Sequence, residues 1–374
     1  MDDASDVARS YHRRQFALTL ADLAVGAAML AWWSWSGAAA RVAAALETYL
    51  QSPAALVAAM VLVIGGAQTL LTFPLDLLAG FVLPRRAGLL AQGLGSWLAD
   101  RAKALAIGGV LGLLAVEVVY ALLRVDPARW WLWAAAILTA GTVLLAAVVP
   151  IWLVPLFYRL TPLQDPALRG RILDLAGRMH VRAAEVAVAD FSRKGRVANA
   201  GVVGLGRTRR ILVSDTLVSG FPPEEVEVVL AHELGHHAER HIAKGLVLQS
   251  ALILAGLWTA DRALRAGGAG LGLSGPADPA GVPFLLLVLT ALGFLVTPIV
   301  AAWSRRLERE ADRVALDVTR APDAFVSAME RLGRLNLAER RPGRLRELLF
   351  ATHPSLEARI AAGRAAGAGL AGTR

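Results

Sequence analysis

Long apolar stretches alternate with charged stretches along the whole chain. A helix needs about 20 mostly apolar residues to cross the hydrocarbon core of a bilayer. Stretches that meet this requirement are predicted to span the membrane at residues 16–38, 54–84, 104–124, 130–157, 243–260 and 282–303. The pattern therefore predicts a polytopic membrane protein with six transmembrane helices, or seven if one of the longer stretches is split.

Between the fourth and fifth predicted spans the apolar positions become periodic. Residues 166–179 have the spacing of an amphipathic helix. Another helix is predicted to begin at Pro222, because proline and the acidic residues after it suit a first turn. Alternating positions predict short strands at residues 185–190, 196–203 and 210–214, the last two joined through residues 204–207. A small α+β region is therefore predicted beside the membrane.

The composition supports the membrane prediction. Hydrophobic residues make up 56% of the chain and charged residues 18%, whereas soluble domains are about 25% charged. The formal net charge is +9, but the arginines lie mostly beside apolar stretches, and no nucleic-acid recognition motif accompanies them. We therefore expect the lipid bilayer, and no nucleic acid, as a partner.

The basic residues also predict an orientation. With six spans, one side of the membrane holds the N-terminal segment, the 85–103 loop, the 158–242 region and the C-terminal region. These segments contain most of the Lys and Arg. Such segments lie in the cytoplasm, and the Trp clusters at 32–35 and 130–133 then fall near the opposite interface. Both termini are predicted to be cytoplasmic, at the inner or plasma membrane if the source is bacterial.

The clearest chemical signal is His232-Glu233-Leu234-Gly235-His236 within a predicted helix. Two histidines four residues apart share one helical face, so they can bind one metal ion, and Glu233 points at the water that the ion would hold. The chain has no cysteine, so any other ligand must be His, Asp or Glu. The pattern is typical of zinc hydrolases, although a solvated helix can also carry it.

The third ligand must come from elsewhere, because a catalytic zinc ion takes three protein ligands and a water. A metzincin would have Gly at 239 and His at 242, and the chain has Glu239 and Ile242. His237 and His241 face other directions, so they are predicted to lie around the site or on the surface. No other histidine is well placed, which leaves a glutamate.

The best candidate is Glu308, one helical turn before Asp312. Glu308 is predicted to bind zinc, while Asp312 holds the other ring nitrogen of a zinc-bound histidine. Glu310 lies on another face and is predicted to be solvated. The alternative is an ordinary charged helix leaving the membrane.

Further motifs follow in one order between about residues 150 and 360. They are Pro155–Leu163, Val197–Ala200, Ser214–Leu217, His232–His237, Ser304–Asp312 and His353–Ser355 with Arg359 and Ile360. Together they resemble the M48 family of integral-membrane zinc metallopeptidases. The likeness is greater to the Ste24-type CAAX prenyl proteases than to the HtpX-type quality-control proteases.

The resemblance implies roles for several residues. Glu308 would be the third zinc ligand, in agreement with the chemical argument. Asn199, near an edge strand, would contact the substrate backbone, and His353 would assist the tetrahedral intermediate. Arg305 and Arg359 would have structural or site-supporting roles.

The predicted fold class is mainly α, with six or seven transmembrane helices and a gluzincin-like α+β zinc peptidase domain that carries a small β-sheet. Residues 1–157 form an N-terminal membrane domain with four spans. Residues 158–360 form the peptidase domain, interrupted by a transmembrane hairpin at about 243–303. Residues 361–374 are predicted to be a disordered tail.

The predicted function is a membrane-embedded zinc endopeptidase with one Zn²⁺ per chain. It would hydrolyse membrane-associated or prenylated CAAX-type substrates at the cytoplasmic face, with Glu233 as the general base. One alternative is an HtpX-like protease that degrades misfolded membrane proteins. Another is a non-catalytic, metal-dependent membrane sensor or scaffold.

Overall fold

A computed structural model describes residues 2–181, 185–204 and 209–371. The helices are α1 Asp2–Trp35, α2 Ala38–Glu47, α3 Pro53–Leu77, α4 Leu83–Arg86, α5 Leu94–Val125, α6 Trp130–Val148, α7 Val154–Phe157, α8 Pro166–Arg178, α9 Asp215–Gly220, α10 Pro223–Ala238, α11 His241–Gly267, α12 Val282–Thr319, α13 Pro322–Leu335, α14 Arg344–Phe350 and α15 Leu356–Ala371. The strands are β1 Leu160–Pro162, β2 Glu185–Ala189, β3 Ala200–Val203 and β4 Arg210–Ser214.

Among the described residues, six helical segments are long and apolar enough to cross a membrane, as predicted. They are Asp6–Trp35, Pro53–Arg86, Leu94–Val125, Trp130–Val148, His241–Gly267 and Pro279–Thr319. Several extend beyond the predicted limits. The helix α4 ends at Arg86 and α5 begins at Leu94, so the loop is shorter than the predicted 85–103, and Lys103 pairs with Asp100 on α5 itself. The helix α12 continues without a break into the charged sequence that follows its span.

The membrane helices share a core around Met60, Tyr120 and Trp130. At the end of the bundle far from the sheet, Asp261 of α11 is completely buried. It accepts hydrogen bonds from Nε1 of Trp130 at 2.7 Å and from Nε of Arg265 at 2.9 Å. A buried charge is tolerated only when it is paired, so these bonds explain how α11 carries an aspartate against α6.

The sheet has the order β1-β2-β4-β3, with β2 and β4 parallel and both outer strands antiparallel to their neighbours. The strands predicted at 185–190 and 210–214 are present, whereas only residues 200–203 of the predicted 196–203 strand pair in the sheet. Of the predicted 204–207 connection, residues 205–207 lie outside the described residues. The strand β3 is an edge strand, and it packs beside α10.

The helices α10 and α12 pack closely against each other. A Cβ atom on Gly235 would lie 3.4 Å from Cα of Ala311, so the small residues at this crossing let the two backbones approach. The N-terminal turn of α10 is held separately, because buried Glu225 accepts hydrogen bonds from Ser327 and Arg331 of α13. The position of α10 is therefore fixed from two sides.

The predicted disordered tail over residues 361–374 is wrong for the part that the structure describes. Residues 361–371 continue the helix α15, while residues 372–374 lie outside the described residues. Alanine has the highest helix propensity, and Ile360 is completely buried. A Cβ atom on Gly363 would lie 2.8 Å from the Phe325 ring, so this glycine permits close packing on α13. Composition alone suggested disorder, but tertiary packing stabilises the helix.

Candidate metal centre

Three side chains from α10 and α12 converge at the crossing of these helices. Nε2 of His232 lies 3.2 Å from Nε2 of His236 and 3.3 Å from Oε2 of Glu308. Nε2 of His236 lies 3.5 Å from Oε1 of Glu308. The structure therefore brings together the three residues predicted as ligands, and their donor atoms lie within 4.8 Å of one another.

This arrangement fits a metal ion. Four ligands at the usual zinc distances of about 2.0–2.1 Å in a tetrahedron have donor atoms about 3.3–3.5 Å apart, close to the separations of His232, His236 and Glu308. Oε2 of Glu308 is buried and accepts no hydrogen bond from any described residue. Such an atom costs free energy unless a partner compensates it, and a bound cation would do so.

The helix α12 also fixes the orientation of His232. Oδ1 of Asp312 lies 2.9 Å from Nδ1 of His232, and Arg359 of α15 donates two hydrogen bonds to the same carboxylate. Burial opposes the charged form of His232, but the carboxylates of Asp312 and Glu308 outweigh it and raise its pKa to about 9. The negative surroundings that stabilise a proton on His232 would equally stabilise a metal cation.

The second histidine is oriented by His241, for which the sequence left open a place around the site or on the surface. Nδ1 of His236 lies 2.9 Å from Nδ1 of buried His241, and Nε2 of His241 lies 3.2 Å from Oε2 of Glu310. Burial and the neighbouring His232 lower the pKa of His236 to about 4, which favours its neutral form. Neutral His236 with its proton on Nδ1 can donate to His241 and keep Nε2 free for a metal.

Glu310 was predicted to be solvated, and its side chain is only partly so, at 23% exposed. Besides His241, it accepts hydrogen bonds from Lys244 and Arg306. A continuous helix would have turned His241 away from His236, but Arg240 adopts a left-handed conformation with φ of 55° and separates α10 from α11. The change in direction returns His241 to the site. The pattern of apolar positions in the sequence does not predict a left-handed residue at Arg240, so it does not predict this change in direction.

The predicted general base lies at the same site. Glu233 borders a cavity of about 350 Å³ together with His236, Glu308 and Val202 of the edge strand. Burial raises the pKa of Glu233 above its ordinary value. A carboxylate with a raised pKa is a stronger base, so its environment suits proton transfer.

The remaining predicted residues lie at different distances from the ligands. Nε2 of His353 lies 3.4 Å from Oε1 of Glu308, and its side chain is 61% exposed. Arg305 donates to the backbone carbonyls of residues 347, 348 and 351, so it supports the segment that leads to His353. Asn199 is exposed just before β3, and its side-chain oxygen accepts from N–H of Ala200. The structure does not bring Asn199 into the ligand cluster.

Another contact joins α10 to the edge strand. Nε2 of His237 lies 3.0 Å from the carbonyl oxygen of Val202, to which it can donate a hydrogen bond. This carbonyl is on the edge strand β3. His237, the residue after the His-Glu-x-x-His motif, therefore holds the edge strand at a fixed position beside the candidate metal ligands.

Sequence similarity identifies the family. The profile of peptidase family M48 matches residues 162–366, more than half of the chain. The chain belongs to peptidase family M48. A second profile, described as the CAAX prenyl protease N-terminal region with five membrane helices, matches residues 2–159. Among the described residues, four of the candidate spans lie in that region.

Similar proteins agree with this assignment. The uncharacterised metalloprotease YhfN of Bacillus subtilis is 30% identical over 304 residues, which cover 80% of this chain and 71% of that protein. CAAX prenyl protease 1 of Saccharomyces cerevisiae is 29% identical over 184 residues, covering 48% of this chain and 40% of the yeast protein. The crystal structure of S. mikatae Ste24p has the same fold, with a TM-score of 0.76 at 24% identity, covering 83% of this chain and 76% of that one.

The Ste24-type resemblance predicted from the motifs is thus confirmed. The chain is an integral-membrane metalloprotease of the M48 family, and membership of this family implies a metal cofactor.

The contact between His241 and Glu310 predicts an effect on metal binding. Glu310→Leu removes the acceptor that orients His241, and through it His236, so we expect zinc affinity to fall about 10- to 100-fold. Glu310→Gln keeps an acceptor oxygen and should lie nearer to wild type. Competition with a chelator measures these affinities on the purified protein. The exposed Glu239→Leu is the control, and equal affinities for Glu310→Leu and this control would contradict the role.

Proposed function

We propose that this protein is a zinc endopeptidase that cleaves membrane-associated, prenylated substrates at the cytoplasmic face. The observation that carries the proposal is the convergence of His232, His236 and Glu308 beside Glu233, in a cavity bordered by an edge strand. Two imidazoles and one carboxylate are a ligand set typical of catalytic zinc.

The chain itself would hold one zinc ion through His232, His236 and Glu308. Zinc bound there supplies a lowered pKa for a water molecule and polarises the carbonyl group of the substrate. Glu233 accepts the proton of the attacking water as the general base and afterwards delivers it to the leaving amine. Burial raises its pKa, which makes Glu233 a stronger base for the first of these steps.

His353 is placed to act on the developing negative charge. It is exposed, and its Nε2 lies 3.4 Å from Oε1 of Glu308. A hydrogen bond donated by His353 to the substrate oxygen would stabilise that oxygen as its charge grows. Arg305 and Arg359 act indirectly, since one supports the backbone before His353 and the other holds Asp312.

The edge strand β3 offers a way to bind a peptide. An extended substrate can add to an exposed edge through main-chain hydrogen bonds. The carbonyl of Val202 is already engaged by His237 and the N–H of Ala200 by Asn199, so the carbonyl of Ala200 and the N–H of Val202 are the edge groups left for a substrate. The side-chain oxygen of Asn199 is used locally, which leaves its NH₂ group to donate to the substrate backbone.

The proposed substrate class follows from the relatives and from the position of the site. The similar yeast protein is named CAAX prenyl protease 1. The ligand helix α12 is itself a candidate membrane span, and α11 follows α10 directly. A site at the ends of two membrane helices suits a substrate that a lipid chain keeps at the bilayer surface.

The proposed orientation is supported by contacts within the fold. His12 near the N-terminus lies within hydrogen-bonding distance of the carbonyl of Leu337, and the loop after α4 bonds to Lys194. The N-terminal helix, that loop and the metal centre are therefore at one end of the bundle, the basic end that the positive-inside rule assigns to the cytoplasm.

Glu233→Gln is expected to reduce peptide hydrolysis about 10²- to 10⁴-fold, because the amide cannot accept the proton. Zinc content should remain at the wild-type level, since Glu233 is not among the three ligands. Peptidase assays and metal analysis of the same preparation test both statements, with Glu239→Gln as the control. A fully active Glu233→Gln variant would instead support a metal-dependent scaffold.

The substrate proposal can be tested with one peptide sequence in two forms. We expect a farnesylated CAAX-type peptide to be cleaved with a kcat/KM at least about tenfold above that of its unprenylated form, because burial of the isoprenoid favours binding. Both reactions should stop when a chelator removes the metal. Equal rates for the two peptides, together with degradation of an unfolded membrane protein, would favour the quality-control function.

The orientation can be tested with single cysteines, because the natural chain has none. Ser219 is exposed on the side of the metal centre, and Ala40 is exposed on the short helix after the first span. We expect an impermeant maleimide to label Ala40→Cys in intact cells and Ser219→Cys only after the membrane is disrupted. The reverse labelling pattern would place the metal centre outside.

A further inference from the structure

A second large cavity lies behind the metal centre, between α12, α14 and α15. Its volume is about 750 Å³. Three exposed arginines line it, Arg309 and Arg313 from α12 and Arg344 from α14. Seven apolar residues also line it, namely Leu316, Leu348, Pro354, Ala358, Ala362, Ala365 and Ala366, together with five further charged residues, Arg305, Asp312, Asp317, Glu347 and Arg359. We refer to this cavity as the arginine groove.

The three arginines leave the arginine groove with positive charge that the fold does not neutralise. Within the described residues, none of them makes an ion pair or a side-chain hydrogen bond. The acidic residues nearby are mostly engaged, since Asp312 pairs with Arg359 and Glu347 accepts a hydrogen bond from N–H of Ser355. Asp317 alone among the carboxylates lining the groove has no partner in the described part of the chain. Five arginines and three carboxylates line the groove in all, so its net charge is +2, which favours an anionic ligand.

The arginine groove lies beside the membrane end of the domain. Phe350, at the end of α14, packs on Phe16 of α1 and Phe294 of α12, with ring centroids 5.1 Å and 6.1 Å apart. Both partners belong to candidate membrane spans. On the same short helix, Leu345 and Leu348 are 71% and 59% exposed. Two exposed leucines on a helix anchored to membrane spans are in a position to contact lipid.

The arginines are correspondingly close to the membrane surface. Arg309 lies about one helical turn beyond Arg305, the first charged position after the last predicted apolar stretch, and Arg313 lies a further turn away. Basic residues within this distance of a span are attracted to anionic headgroups on the cytoplasmic side. The planar guanidinium group also matches the geometry of a phosphate.

We propose that the arginine groove binds the headgroup of an anionic phospholipid. The phosphate lies among Arg309, Arg313 and Arg344, and the first acyl carbons lie on the alanine face of α15 and on Leu348. The combination of unpaired cations with an apolar wall distinguishes this ligand from a free anion, which would gain nothing from the alanines. A phospholipid with a neutral headgroup would not match the unpaired charge.

The test uses the full-length, detergent-purified protein and dihexanoyl phosphatidylglycerol, a short-chain anionic lipid. The variant Arg309→Gln/Arg313→Gln/Arg344→Gln removes three charges from the groove. Its control, Arg13→Gln/Arg14→Gln/Arg86→Gln, removes three exposed arginines elsewhere on the same predicted side. Each arginine near an anionic surface contributes about fivefold to binding. Calorimetry should therefore show about a hundredfold weaker binding by the groove variant and little change in the control.

Further measurements separate the lipid from other occupants. Ala362→Leu, which places a larger side chain in the groove, should weaken binding of the short-chain lipid about tenfold, whereas inorganic phosphate should bind weakly to all variants. Unchanged zinc content shows that the variants are folded, since Arg305, Asp312 and Arg359 are left intact. Equal losses in the two triple variants would overturn the proposal. So would equal affinity for dihexanoyl phosphatidylcholine, or tight binding of phosphate alone.

Discussion

The close approach of α10 and α12 is the constraint on which the rest of this structure depends. Ligand atoms of α10 lie 3.3 and 3.5 Å from those of α12, although the membrane helix α11 separates the two helices in sequence. Gly235 and Ala311 make the approach sterically possible. The convergence also leaves Oε2 of Glu308 buried at the crossing without a hydrogen bond. A bound metal ion would offset the free-energy cost of burying this oxygen.

Each candidate ligand histidine is held through its second ring nitrogen by a chain of polar contacts, which we call a relay. The two relays lead to different parts of the fold. His232 leads through Asp312 to Arg359 on α15, while His236 leads through His241 to Glu310. Contacts to the second ring nitrogen set the tautomer and the direction of the ring. The order of α15 is therefore part of what positions the candidate metal ligands.

The sequence predicted the residues of this site better than their surroundings. His232, His236, Glu308 and Asp312 could be found because their spacing on regular helices decides which face they share. For His241 the sequence left two alternatives, a place around the site or on the surface, because the choice depends on a left-handed residue, Arg240, that ends one helix and redirects the next. The helix at residues 361–371 was missed for a similar reason, since its order depends on packing against α13 rather than on local composition.

The membrane hairpin contributes to the site as well as anchoring it. His241 begins α11, and Glu308, Glu310 and Asp312 lie on α12, so four of the residues around the candidate metal belong to the two helices of that hairpin. Their relative positions depend on the packing of α11 and α12 within the bundle, around residues such as Leu257 and Leu285. A fragment limited to residues 158–240 would retain both ligand histidines but would lack Glu308 and both relays. Assembly of the metal centre is therefore coupled to folding of the helices in the bilayer.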